Sequence, residues 1–292
     1  MFQGSLVALV TPMKADTSLD WVALEKLVEW HIESGTQGLV AMGTTGESAT
    51  LNMSEHLSVI ARVVDQVNGR IPVIAGTGAN STSEALELTQ GAADAKADGA
   101  LLVTPYYNKP SQEGLYLHHK HIAERVALPQ LLYNVPGRTA CDMLPETVAR
   151  LSQLDNIVGI KEATGDMGRL AAIQERVSSD FVLLSGDDES SLEFMLLGGH
   201  GVISVTANVV PAEMAELCEL AHANEVEKAR ELDSRLVSLH RNLFLESNPI
   251  PVKWAVAQLG FGADVLRLPL TPLDAKFRPI LAKAMRDNAL LD

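Results

Sequence analysis

Eight short runs of almost unbroken apolar residues recur along this chain, and they constrain the fold more than any other feature. They are Leu6–Val10, Gly38–Met42, Ile71–Ala75, Ala100–Val103, Gln130–Tyr133, Ile157–Ile160, Phe181–Leu184 and Val202–Val205. None alternates apolar with polar residues, so each must be covered on both faces, as strands of a parallel sheet are. Between them lie segments with apolar residues at three- and four-residue steps, such as Trp21–Glu33, Ser54–Val67, Thr82–Ala97 and Gln112–Val126. Ser54 and Ser81 read as helix caps, and Pro145 and Pro211 as first-turn prolines. Strand plus crossover helix needs the spacing seen here. Eight such units in 292 residues predict a closed (β/α)8 TIM barrel rather than an open doubly wound sheet. The barrel is expected over residues 1–223. Residues 224–292 carry no strand pattern and no low-complexity linker, which predicts a C-terminal helical region packed on the barrel.

The charge balance narrows the partners. Hydrophobic residues make up 47% of the chain and charged ones 21%, a globular mixture, with a formal net charge of −14. That charge opposes nucleic acid, whose phosphates are bound by clustered Lys and Arg, and opposes an anionic membrane surface. A small anionic substrate in a locally positive site stays compatible with it. Cys141 and Cys218 lie far apart and form no CxxC pair, so neither a disulfide framework nor a structural zinc site is expected. Residues 1–7 lack a basic n-region and a long apolar stretch, and no run is long enough to span a bilayer, so the chain reads as cytoplasmic.

The strand ends carry the chemistry. Small, polar or hydroxyl residues follow each run: Gly43-Thr44-Thr45-Gly46-Glu47, Gly76-Thr77-Gly78, Thr104-Pro105-Tyr106-Tyr107, Asn134 and Gly186-Asp187-Asp188 among them. In a barrel these positions form the C-terminal rim, where active sites sit. Turn propensity accounts for Gly and Asp there. It does not account for two adjacent tyrosines, or for Lys161 at the end of Ile157-Val158-Gly159-Ile160. By alternation Lys161 shares a face with Gly159 and opposes Val158 and Ile160. An unpaired ammonium is costly in a buried strand, and the bland alternatives are a lysine snorkelling outward or one paired with Glu162. Desolvation favours the neutral amine, and a neutral amine attacks ketones to form an imine. The protonated imine then serves as an electron sink, so the adjacent methyl loses a proton to give an enamine nucleophile, with no cofactor and no metal. Tyr133 ends the neighbouring strand within reach of that amine. With Thr44 and Tyr107 it can form a hydroxyl relay. Thr45 and nearby backbone N–H groups suit a substrate carboxylate, and Arg138 suits a second one in a bidentate clamp.

Rival chemistries need other residues. A metal-dependent aldolase requires converging His, Asp and Glu at strand ends, whereas His118, His119 and His121 fall on a predicted helix, read as an exposed or partly packed face. A pyridoxal phosphate enzyme requires a phosphate loop and an aspartate for the ring nitrogen, and a non-catalytic acid-binding barrel would not bond covalently to its ligand.

Taken in order, Gly43-Thr44-Thr45-Gly46-Glu47-Ser48, Ile71-Pro72-Val73-Ile74-Ala75-Gly76, Tyr133-Asn134-Val135-Pro136-Gly137-Arg138-Thr139 and Gly159-Ile160-Lys161-Glu162-Ala163-Thr164-Gly165 resemble the dihydrodipicolinate synthase (4-hydroxy-tetrahydrodipicolinate synthase) family across the whole chain. The resemblance implies condensation of pyruvate with aspartate semialdehyde in the diaminopimelate route to lysine. It implies Lys161 as the Schiff-base residue, Tyr133, Thr44 and Tyr107 as the relay, Thr45 for the pyruvate carboxylate and Arg138 for the semialdehyde. Backbone groups of Gly186 and Ile203 are expected near the substrates. It further implies a homotetramer built as a dimer of dimers, with Tyr107 reaching into the neighbouring subunit's site. L-Lysine is implied as a feedback inhibitor held by Ser48, Ala49, His56, Asn80, Glu84 and Tyr106. Position 53, often polar or charged in lysine-sensitive members, is Met53 here. The sister lyases of the same barrel, such as N-acetylneuraminate lyase, share the lysine and its tyrosine, but Thr44 with Arg138 suits a short semialdehyde acid better than a neutral polyol.

Overall fold

The computed structural model describes residues 2–292. Among them, eight parallel strands close into a barrel in sequence order: β1 (Gly4–Ala8), β2 (Gly38–Ala41), β3 (Val73–Gly76), β4 (Gly99–Val103), β5 (Gln130–Asn134), β6 (Ile157–Glu162), β7 (Val182–Ser185) and β8 (Gly201–Ser204). Alternation divides their side chains between two cores. Leu6, Ala8, Val40, Ile74, Leu101, Leu131, Leu184 and Ile203 fill the interior. Val7, Leu39, Val73, Leu102 and Val202 point outward into the clusters beneath the helices. Each fully buried leucine contributes about 1.5–3 kcal/mol relative to an exposed one.

The helix Trp21–Glu33 has the bounds its periodicity predicts, and Asp20 caps it by accepting from the Ala23 N–H at 3.1 Å. The next helix starts one residue earlier than predicted, at Met53, and its cap is Asn52 rather than Ser54. Asn52 Oδ1 accepts from Glu55 N while Glu55 Oε2 accepts from Asn52 N, a reciprocal box that Ser54 cannot form from inside the first turn. Ser81 does precede the helix Thr82–Asp94, but its side chain makes no capping bond. Pro145 and Pro211 open their helices as first-turn residues.

A register shift between β5 and β6 departs from simple alternation. Gln130 pairs with Ile157 and Leu131 with Gly159, which leaves Val158 as an extra residue. Val158 therefore packs against the interior cluster, and of the two residues expected to oppose Lys161 only Ile160 does so.

The seam between β8 and β1 is stitched by Asn208. Its Nδ2 donates to the Ala8 carbonyl at 2.8 Å and its Oδ1 accepts from Val10 N at 3.1 Å. Asp188 does the same between β7 and β8, accepting from Val205 N, Thr206 N and the Ser204 hydroxyl. The helices Val226–Asn242, Ile250–Gln258 and Arg278–Asp287 follow the barrel. Leu232, Leu236, Val252, Trp254, Leu281 and Met285 share one apolar cluster with Val7, Leu9 and Val202 of the barrel. No helix among the described residues is long and apolar enough to cross a membrane.

Candidate active site at the C-terminal rim

Lys161 sits on β6, which runs on to Glu162, two residues beyond the end read from the sequence. Only 6% of Lys161 is exposed, and no carboxylate pairs with it among the described residues. Glu162, the alternative partner, points the other way into a buried network: it accepts from Asn134 Nδ2 at 3.1 Å and from Thr164 N at 2.9 Å. Burial pushes the Glu162 carboxyl up from its ordinary range, against those hydrogen bonds. Tyr133 faces Lys161 directly across the β5–β6 ladder. The Lys161 Nζ stands 4.3 Å from the centroid of the Tyr133 ring, a distance at which an aromatic face holds a cation when the amine is protonated.

Room for this lysine depends on Gly186, just past β7. A Cβ there would lie 2.8 Å from Lys161 Cε and 2.6 Å from Ala163 Cβ. Above the pair opens a cavity of about 170 Å³, walled by Thr44, Thr45, Tyr133, Arg138, Lys161, Gly186, Asp187 and Asn248 among others. Lys161 and Arg138 bring two basic side chains to these walls and Asp187 one carboxyl. The turn Thr44–Gly46 follows β2 and ends on Glu47, whose φ of 60° is left-handed. Met42 (59°), Tyr107 (74°) and Ala140 (58°) share that conformation around the rim, and such non-glycine strain concentrates at functional sites.

The structure gathers most, but not all, of the residues singled out from sequence. Thr44, Thr45, Tyr133, Arg138, Lys161 and Gly186 meet at this cavity. Ile203 is buried in the barrel interior and is not one of its walls. Tyr107 is not a wall either; the residue is 87% exposed. A second cavity of about 530 Å³ adjoins the first through shared walls Thr44, Ser48, Arg138 and Asn248. Ser48, Ala49, Met53, His56, Glu84 and Tyr106 line it. Asn80 does not, but its Nδ2 donates to the Tyr106 carbonyl at 3.2 Å. His56 Nε2 lies 2.7 Å from the Gly76 carbonyl, and burial lowers its pKa. With Nε2 donating to that carbonyl, Nδ1 is left as an acceptor. Burial first, and then the Glu84 carboxylate, push the Tyr106 phenol up.

The histidine cluster requires a correction. His118 and His119 are buried rather than exposed or partly packed, and only His121 is half-buried. The helix Gln112–Ala123 turns them inward beside Leu115 and Ile122, with His118 Nδ1 2.9 Å from Thr82 Oγ1. Among the described residues no group of three His, Cys, Asp or Glu is placed to hold a metal ion.

Three residues of the C-terminal segment, not singled out from the sequence, contact the site or brace the rim turn beside it. Asn248 Nδ2 donates to Thr45 Oγ1 at 2.9 Å, and its carbonyl accepts from Arg138 Nη2 at 3.2 Å. Lys253 forms a buried ion pair with Glu47. Arg267 donates its N–H to Glu47 Oε2 and clamps Glu55 with its guanidinium. The available signal was Lys253 itself, a lysine in the apolar run Ile250-Pro251-Val252-Lys253-Trp254-Ala255.

A family model described as the dihydrodipicolinate synthetase family matches residues 1–288. A relative from Teredinibacter turnerae named 4-hydroxy-tetrahydrodipicolinate synthase is 69% identical over 285 residues, covering 98% of each chain. The crystal structure of the chloride-inhibited dihydrodipicolinate synthase from Acinetobacter baumannii, complexed with pyruvate, is 55% identical over 100% of both chains, with a TM-score of 0.98. The dihydrodipicolinate synthase of Cyanidioschyzon merolae with lysine bound is 40% identical over 99% of each chain, with a TM-score of 0.96.

Proposed function

This chain belongs to the dihydrodipicolinate synthetase family, and we propose how its residues divide the work of the family's reaction. It is a lyase that condenses pyruvate with L-aspartate 4-semialdehyde to 4-hydroxy-tetrahydrodipicolinate, in the diaminopimelate route to lysine. The observation that carries the assignment of roles is the Lys161 amine: buried, in no ion pair among the described residues and facing Tyr133 across one ladder position.

Pyruvate enters with its carboxylate against Thr45 and the Thr44–Gly46 turn. The Lys161 amine adds to the keto carbon, and loss of one water gives the protonated imine. Tyr133 carries protons through Thr44 and a Tyr107 donated by a second subunit, a role that fits a tyrosine standing clear of its own chain's cavity. Loss of a methyl proton yields the enamine, whose carbon attacks the aldehyde of the semialdehyde held at its carboxylate by Arg138. The amine of that substrate then displaces Lys161 by transimination, closing the ring and freeing the lysine. Gly186 and Ile203 would contribute through the backbone.

Dependence on a second subunit's Tyr107 makes the working form a homo-oligomer, which we take to be a tetramer built as a dimer of dimers, acting in the cytoplasm. The adjoining cavity with Ser48, Ala49, His56, Glu84 and Tyr106 is read as the place where L-lysine inhibits, with Asn80 supporting Tyr106 at its margin.

Borohydride reduction in the presence of pyruvate tests the central assignment. Peptide mapping should find the added mass on Lys161. Modification elsewhere, or none in active enzyme, would reject the mechanism.

A further inference from the structure

We propose that Asn248 is a positioning residue that fixes Thr45 as a hydrogen-bond donor toward the pyruvate carboxylate. The inference rests on the reading of Thr45 given above and adds what makes that threonine competent. A hydroxyl can donate one hydrogen and accept two, and which it does is set by its partners. Thr45 is buried, and its Oγ1 has a single hydrogen-bond partner among the described residues, the Asn248 amide. Because Nδ2 donates, the Thr45 proton is left free. Both residues wall the cavity that holds Lys161. A carboxylate accepts and never donates, so a threonine with its proton free suits it and one with only lone pairs to offer repels it.

The amide orientation follows from what else surrounds it. Asn248 is only 6% exposed, and its Oδ1 is buried without a partner among the described residues. The present orientation leaves one amide hydrogen and Oδ1 unpaired; turning the amide over would leave both hydrogens unpaired and would make Thr45 spend its proton on Oδ1.

Asn248 serves the second carboxylate site through a different group. Its main-chain carbonyl, not its side chain, accepts from Arg138 Nη2 at 3.2 Å. Substitution of the side chain therefore separates the two substrates.

Steady-state kinetics on the full-length enzyme provide the test. Asn248→Ala should raise the pyruvate KM by up to about tenfold, the most that misdirecting the Thr45 hydrogen bond to a charged partner can cost, and leave the semialdehyde KM within about twofold. Asn248→Asp keeps the shape but reverses the polarity. It should raise the pyruvate KM further at neutral pH, and the defect should shrink as pH falls and the introduced carboxyl regains a proton to donate. Equal rises in both KM values, or a pH profile for Asn248→Asp parallel to that of the wild type, would overturn the inference. Thr45→Val separates the layers. If it leaves the pyruvate KM unchanged, the reading of Thr45 is wrong. If it raises that KM while Asn248→Ala does not, Thr45 stands and the role of Asn248 falls.

Discussion

Glu47 and Lys253 form an ion pair sealed from solvent, with side chains 0% and 2% exposed, that joins the rim turn after β2 to the helix Ile250–Gln258. Glu47 Oε2 also accepts from Arg267 N at 3.1 Å. The turn carrying Thr44 and Thr45 is thus held from the C-terminal segment, more than 200 residues away. Burial pulls the Lys253 ammonium pKa down and the Glu47 carboxylate opposes that fall. Removing one partner leaves a buried charge alone, at a cost of about 3–5 kcal/mol. Lys253→Met should lower the denaturation midpoint and raise the pyruvate KM, while Lys253→Met with Glu47→Gln should recover much of the stability. A double variant no more stable than Lys253→Met would show that the pair is not coupled.

The clearance at Gly186 gives a sharper kinetic expectation. A methyl there would press on Lys161 Cε at 2.8 Å, and an angstrom of misplacement at a reacting atom costs about 100-fold in rate. Gly186→Ala should reduce kcat by that order and slow borohydride trapping in parallel, while Lys161→Ala abolishes both. Wild-type trapping rates in Gly186→Ala would mean that the lysine does not need the space.

Much of this was legible in the sequence, because periodicity and strand-end chemistry are local. Eight apolar runs gave the barrel, and a lysine at the end of one of them gave the candidate for the reactive amine. Bonds that bridge distant segments left no such trace. Asn248 and Lys253 meet Thr45 and Glu47 only once the C-terminal segment folds back over the rim. The Val158 bulge depends on how β5 and β6 align. His118 and His119 looked polar enough for a surface, yet they face the core because their helix presents that side to its neighbours. Asn52 outcompeted Ser54 as a cap through a partner, Glu55, that also belongs to the Arg267 clamp.

Those histidines predict a pH dependence of stability. His119 is fully buried, neither ring nitrogen has a partner among the described residues, and burial holds its pKa well below the usual value of 6.5. Burial likewise lowers His118 to about 4 and His31 to about 3. A folded-state pKa below the unfolded one means that the unfolded chain binds protons first. The stability these neutral rings contribute is therefore complete above about pH 6.5 and is lost as pH falls toward the folded-state values. His119→Phe removes one such group while keeping an apolar ring. Its melting temperature relative to wild type should climb between pH 7 and pH 4.5. A difference that stays flat across that range would mean the unfolded chain gains no proton at this position.

The adjoining cavity makes the last prediction. Glu84 lies close enough to raise the Tyr106 phenol and has no ion-pair partner among the described residues. An amino group entering the cavity would meet that carboxylate beside Tyr106, and His56 would offer only a neutral ring. Hydrogen bonds to a charged group are worth about 1.5–3 kcal/mol, so losing the charge should weaken the ligand by at least tenfold. Glu84→Gln should accordingly raise, by that factor or more, the lysine concentration that halves each enzyme's own uninhibited rate. Met53 offers a cationic ligand no charge, so Met53→Glu should shift the same midpoint downward. Inhibition by lysine that ignores both substitutions would put the inhibitor somewhere other than this cavity, and would leave Glu84 as a solvent-facing helix residue whose only visible effect is on its tyrosine neighbour.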